Sequence, residues 1–194
     1  SLAVVAISGP GRETAASHLP AGTIREAIGE LMCAVVSDPD GPGQRTAIEQ
    51  AIASVGARAG LGSTVDWSQA RASFVRAQAA LELVDSDGDL VAAREYAGAL
   101  LLRSDPGLAD ELAADRLAPL ADLSPGSRRR LRETLAVWLA EQGRLGSVAE
   151  RLGIHPQTAR YRVGRLRDLF GDALDDPDAR FWLEVALRVG EAPA

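Results

Sequence analysis

Between Ser127 and Arg167 the chain carries ten arginines and three acidic residues, a local net charge of +7 within a protein of net charge −6. Guanidinium groups at that density displace counterions from a polyanion and pair bidentately with phosphate or guanine. Within this stretch Gln157, Thr158, Arg160, Tyr161 and Arg165 crowd a short helical pattern, combining donors, acceptors and an aromatic ring. Groups able to do covalent or metal chemistry are scarce elsewhere. Cys33 is the one cysteine and sits in the apolar run Leu31 to Val36, where a thiol acts as a small core residue. His18 and His155 have neither a cysteine cluster nor His-x-x-x-His spacing, so no zinc site is expected.

The charge is unevenly shared. Residues 1–123 hold 9 arginines against 17 acids, a net of −8, whereas residues 124–194 hold 12 against 10, a net of +2. The two parts therefore have different electrostatic tasks. The chain has no lysine, and together with abundant alanine this reads as a bias of GC-rich coding. At 46% apolar and 25% charged residues the composition suits an ordinary soluble fold. No apolar run approaches the roughly 18 residues a membrane span needs, and Leu2 to Ile7 is too short for a signal peptide. A cytoplasmic location is the expectation.

The elements that must position the basic groups read as helices. From Ser127 onward Leu131, Leu135, Trp138 and Leu139 share one face of a helix. Leu145, Val148, Ala149 and Leu152 form a two-turn apolar face, Gly153 breaks it, and His155-Pro156 opens a second helix. Helix, glycine turn, helix is the layout of a helix-turn-helix, here spanning about Arg144 to Phe170. At about 100° per residue, Ala159, Val163, Leu166 and Phe170 cluster toward a core. Gln157 and Tyr161 then point away from it, flanked by Thr158, Arg160 and Arg165.

That outward face is a candidate groove-reading surface, with Gln157, Arg160 and Tyr161 directed to bases and Thr158 in the first turn. Arg162, Arg165 and Arg167 are expected at phosphates or in intramolecular ion pairs. For His155 a phosphate contact and a plain helix-entry role both stay open. Asp176 and Pro177 cap and open a last helix, whose Phe181, Leu183, Val185, Ala186 and Leu187 are expected to complete a small core.

Residues 1–104 read as α/β. Leu2–Ile7 reads as a strand, Arg12–His18 as a weak helix, and Thr23–Ile28 with Leu31–Ser37 as a hairpin turning at Gly29-Glu30. Ala47, Ile48, Ala51, Ile52 and Val55 mark a helix, Ala57–Leu61 a strand, and Ala70, Phe74, Ala77 and Leu81 a helix capped by Asp66. Leu90–Ala93 reads as a last short strand. This order predicts an α+β fold, a ferredoxin-like sheet with helices on one face, followed by an all-α domain at 127–194. A linker with one short helix is expected over 105–126.

The string Leu152-Gly-Ile-His-Pro-Gln-Thr-Ala-Arg-Tyr-Arg-Val163, followed by Arg165-Leu166 and Leu169-Phe170-Gly171, resembles the C-terminal helix-turn-helix of PucR/CdaR-type bacterial regulators. The likeness extends upstream through Leu131 to Leu135 and downstream through Leu174 to Pro177 and Leu183 to Leu187. In that family the helix-turn-helix commonly follows a GGDEF-like domain, and Ala57 to Leu81, with Gly60-Leu61-Gly62, is similar to its later half. The hairpin Ala27-Ile28-Gly29-Glu30-Leu31 stands where diguanylate cyclases carry their signature, but only Glu30 keeps a matching residue. The first strand offers no carboxylate either, and a cyclase needs paired carboxylates to hold metal over phosphates.

The resemblance therefore implies a regulator with a degenerate cyclase-like domain, no enzyme activity and no cofactor. It implies operator DNA as partner, assembly as a homodimer or higher oligomer, and an upstream region sensing a small metabolite. The competing reading is a non-catalytic effector-sensing or protein-interaction module that has lost DNA contact. Acids in place of Arg160, Tyr161 and Arg165 would mark it, and this sequence has none there.

Overall fold

The computed structural model describes residues 1–189; residues 190–194, the tail of the expected C-terminal domain, lie outside the described residues. The chain forms two compact units, residues 1–101 and the residues from Leu102 onward. Among the described residues no helix is long and apolar enough to cross a membrane.

The first unit contains β1 (Leu2–Ser8), α1 (Arg12–His18), β2 (Ile24–Ile28), β3 (Leu31–Ser37), α2 (Gln44–Ala53), β4 (Arg58–Leu61), α3 (Ala70–Leu81) and β5 (Leu90–Ala92). The sheet order is β2-β3-β1-β4-β5. The first four strands pair antiparallel in ferredoxin-like order, and β5 adds parallel to β4. Strand β1 is central, and its unbroken apolar run Leu2-Ala3-Val4-Val5-Ala6-Ile7 is buried throughout. A strand covered on both faces has no reason to alternate.

Parity along the strands separates the faces. Ala3, Val5 and Ile7 pack with Ala34 and Val36 of β3, Ala59 and Leu61 of β4, and with Ala15, Ala16, Ile48 and Ile52 of α1 and α2. The opposite face belongs to α3, which packs on β1 and β4. The expectation of helices on one face is thus corrected. The cause is Gly60 and Gly62: a Cβ on Gly60 would lie 2.0 Å from the Ala77 carbonyl oxygen, and one on Gly62 2.0 Å from that of Ser73. Missing side chains let the helix backbone rest directly on the strand.

This close approach also changes which side of α3 is buried. Ser73, Ala77 and Ala80 are enclosed, whereas Phe74 and Leu81, expected to lead the contact, are only half-buried. The Ser73 hydroxyl is satisfied within the contact, accepting from the Val4 N–H at 3.0 Å and donating to the Ser63 carbonyl at 2.8 Å. Asp66 makes no side-chain cap, because a 3₁₀ turn over Trp67–Gln69 intervenes before α3. Cys33 lies on the β3 face turned away from α1 and α2; it is partly buried rather than a core residue, and burial raises its thiol pKa.

Helix α4 (Ala97–Ser104), not anticipated from the sequence, contains the division between the units. The second unit holds α5 (Pro106–Arg116), α6 (Pro125–Ala140), α7 (Leu145–Arg151), α8 (Pro156–Phe170) and α9 (Pro177–Val189). The segment read as a linker is ordered here. The Asp105 carboxylate accepts from the Leu108 N–H at 3.0 Å with Pro106 at the first helical position, so Ser104-Asp-Pro-Gly107 is a helix start rather than an open turn. Helix α5 packs on α9, and Leu120 is buried in the core of this unit.

Candidate nucleic-acid interface

Two glycine-containing closures set the angles of the helices around α8. At the end of α6, Gln142 adopts φ 51° and Gly143 φ 80°; the Gln142 N–H reaches the Leu139 carbonyl at 3.0 Å and the Gly143 N–H that of Trp138 at 2.9 Å. At the end of α7, Gly153 has φ 62°, its N–H reaches the Glu150 carbonyl at 3.1 Å, and the Ile154 N–H reaches Ala149 at 3.0 Å. Each is the two-bond Schellman closure, which satisfies helix-end carbonyls while reversing the chain. The next helix starts at once, with Pro156 at its first position.

Helix α8 is held from beneath. Ala159, Val163, Leu166 and Phe170 are buried as expected, against Leu135 and Trp138 of α6, Val148 and Ala149 of α7, and Leu183 and Leu187 of α9. Two expected core residues turn outward instead. Leu145 is exposed at the start of α7, and Phe181 is exposed on α9, stacked edge-on against Trp182 with ring centroids 5.1 Å apart. Their own helices bury the neighbouring turn positions, Val148 and Leu183, and each helix has only one face to give.

The outward side of α8 carries Gln157, Thr158, Arg160, Tyr161, Gly164 and Arg165, all exposed, with Tyr161 at 73%. Arg160 has no hydrogen bond or ion pair among the described residues. Arg162 is half-buried at the edge of the core, and Arg165 lies 3.8 Å from the Asp168 carboxylate. His155 serves the helix itself: its Nδ1 accepts from the Gln157 N–H at 3.2 Å, which places the ring proton of the neutral form on Nε2. All eight residues singled out in this stretch of the sequence, Arg167 included, therefore lie on one helix and its cap, His155 and Gln157 joined by that bond.

The sequence count of free cations was too generous, and no spacing signal could have corrected it. Arg128 donates to the backbone carbonyls of Leu120, Ala121 and Leu123. Arg132 donates to the Leu187 carbonyl at 2.9 Å, tying α6 to the end of α9, and Arg151 pairs with Glu141 at 2.9 Å. Arg180 lies 5.2 Å from the centroid of the Trp138 ring, adding a cation–π contact between α9 and α6. In this unit Arg160, Arg162 and Arg167 of α8 and exposed Arg144 before α7 have no side-chain hydrogen bond or ion pair among the described residues, and neither have Arg129 of α6 and Arg188 of α9.

Residues 131–189 match the family model described as the PucR C-terminal helix-turn-helix domain. An uncharacterized protein of Mycobacterium tuberculosis is 36% identical over 101 residues, 52% of this chain and 23% of the relative. The purine catabolism regulatory protein of Bacillus subtilis is 36% identical over 59 residues, 30% of this chain and 11% of that protein. The chain spans about a quarter or less of the length of these relatives. A solved structure, a regulator of polyketide synthase expression from Bifidobacterium adolescentis, aligns over 98% of this chain and 80% of its own at 19% identity, with a TM-score of 0.39. Two helices joined through Gly153, carried on a third helix and matched by the family model, make residues 131–189 a PucR-type C-terminal helix-turn-helix domain.

Proposed function

We propose that this chain is the DNA-binding part of a transcriptional regulator of the PucR/CdaR type, and that it reads the major groove with the exposed face of α8. The observation that carries this is the pairing of a fully packed inner face with an exposed outer face on which Gln157, Thr158, Arg160 and Tyr161 have no side-chain hydrogen bond or ion pair among the described residues. Arg160 in particular has no hydrogen bond or ion pair among the described residues. A guanidinium suited to bidentate pairing with guanine, beside an amide and a phenol, is the equipment of base readout.

In this reading Gln157, Arg160 and Tyr161 contact base edges, and Thr158 reaches them or a neighbouring phosphate from the first turn. His155, through Nε2–H, and Arg162 and Arg165 contact phosphates. One such helix covers only a few base pairs, so the protein works as a homodimer or higher oligomer on repeated half-sites. Residues 1–101 act without catalysis, in packing, self-association or sensing, and a small-molecule effector is received elsewhere in the longer regulator.

The test is fluorescence anisotropy with promoter duplexes from the gene's own neighbourhood, at several salt concentrations, for the wild type and for Arg160→Ala combined with Tyr161→Ala. Expected is selective binding that weakens steeply with salt and is lost in the double variant. A folded wild-type protein that binds no duplex at low salt would sink the proposal in favour of an interaction module.

A further inference from the structure

Glycine is a poor residue for a helix interior, because it loses backbone entropy that alanine does not. The glycines in this protein's helices almost all avoid that penalty. Gly98, Gly107, Gly126 and Gly146 are the second residues of α4, α5, α6 and α7. There the amide groups have no intrahelical partner and little is lost. Gly164 is different: it is the ninth residue of α8, the one helix-interior glycine among the described residues.

Nothing among the described residues explains it. A Cβ built on Gly164 meets no atom within 4 Å, and no positive φ is recorded there. Gly60 and Gly62, by contrast, are required by a neighbouring backbone. Gly164 lies on the exposed side of α8, one turn beyond Arg160 and Tyr161 and two turns beyond Gln157. Its missing side chain leaves a notch in the outer face, bordered in sequence by Arg160, Tyr161, Arg165 and Asp168, with Asp168 paired to Arg165.

We infer that Gly164 is the point where the duplex comes closest to α8, a sugar–phosphate segment of the groove wall seating against the helix backbone in that notch. Arg160 supplies the complementary charge, and Arg165 adds to it by turning from the Asp168 carboxylate to the phosphate. The inference rests on the DNA-reading role proposed above and adds to it a specific contact and a steric limit. It also predicts opposite signs for folding and binding, which a purely structural glycine would not produce.

The experiment compares the full chain with Gly164→Ala and Gly164→Leu, measuring thermal midpoint and anisotropy on a duplex that the wild type binds. Gly164→Ala should raise the midpoint by roughly 2–6 °C. The same variant should weaken binding on the order of tenfold, as one overpacked methyl group does, and Gly164→Leu should weaken it further while staying folded. Wild-type affinity in both variants would overturn the inference and leave the DNA-reading role standing. Weaker binding accompanied by a lowered midpoint would overturn it as well, by making Gly164 a folding residue. Failure of the wild type to bind any duplex would remove the role and the inference together.

Discussion

The two units use glycine at close contacts in opposite directions. In the sheet unit, Gly60 and Gly62 let α3 approach β4 so closely that no side chain fits between them, and the partner is already in place. In the helical unit, Gly164 keeps an equally bare stretch on α8 and meets nothing. The arginines divide in the same way: Arg128 and Arg132 are spent on carbonyls within the fold, whereas Arg160 is not. Groups that a fold leaves unclaimed on a rigid element point to what lies outside it.

The strongest way to break this comparison is to put a methyl group where the partner is internal. Gly60→Ala would place Cβ 2.0 Å from the Ala77 carbonyl oxygen, a backbone atom that cannot rotate away. It should destabilise the sheet unit by about 3 kcal/mol or more, read as an earlier first transition in urea. Next comes the platform beneath α8. Leu166 is fully buried, and Leu166→Ala should cost about 3 kcal/mol, lowering the denaturation midpoint of the helical unit.

A smaller effect sharpens the picture at the start of α8. His155→Ala removes the acceptor of the Gln157 N–H and should cost about 1 kcal/mol, whereas His155→Asn, which can still cap, should recover most of it. Equal losses in the two variants would refute the capping role. The smallest effect concerns Cys33. Because burial raises its pKa, less thiolate exists at a given pH in the folded protein. Iodoacetamide should therefore modify it more slowly than in the urea-unfolded chain, with the pH profile displaced upward.

Much of this arrangement was legible in the sequence because single helices and strands obey simple periods. The inner face of α8 followed from the spacing of Ala159, Val163, Leu166 and Phe170, and the antiparallel hairpin from two strand-like stretches, the second of them apolar, meeting at Gly29-Glu30. What escaped depended on partners far along the chain. Gly60 and Gly62 gave no hint that α3 would cover the second face of the sheet, and the Asp105-Pro106 pair served equally well as turn or helix start. For the candidate site, the sequence delivered the residues of α8 but not the employment of Arg128, Arg132 and Arg151, whose partners lie 5 to 55 positions away.

The central claim is that the outer face of α8 reads the major groove, and methylation footprinting with dimethyl sulfate addresses it directly. That reagent modifies guanine N7 in the major groove and adenine N3 in the minor groove. The account predicts protection of guanine N7 by the wild type, lost in the variant Arg160→Ala with Tyr161→Ala at a protein concentration where the duplex backbone is still covered. Protection unchanged by that double substitution, or confined to adenine N3, would contradict it.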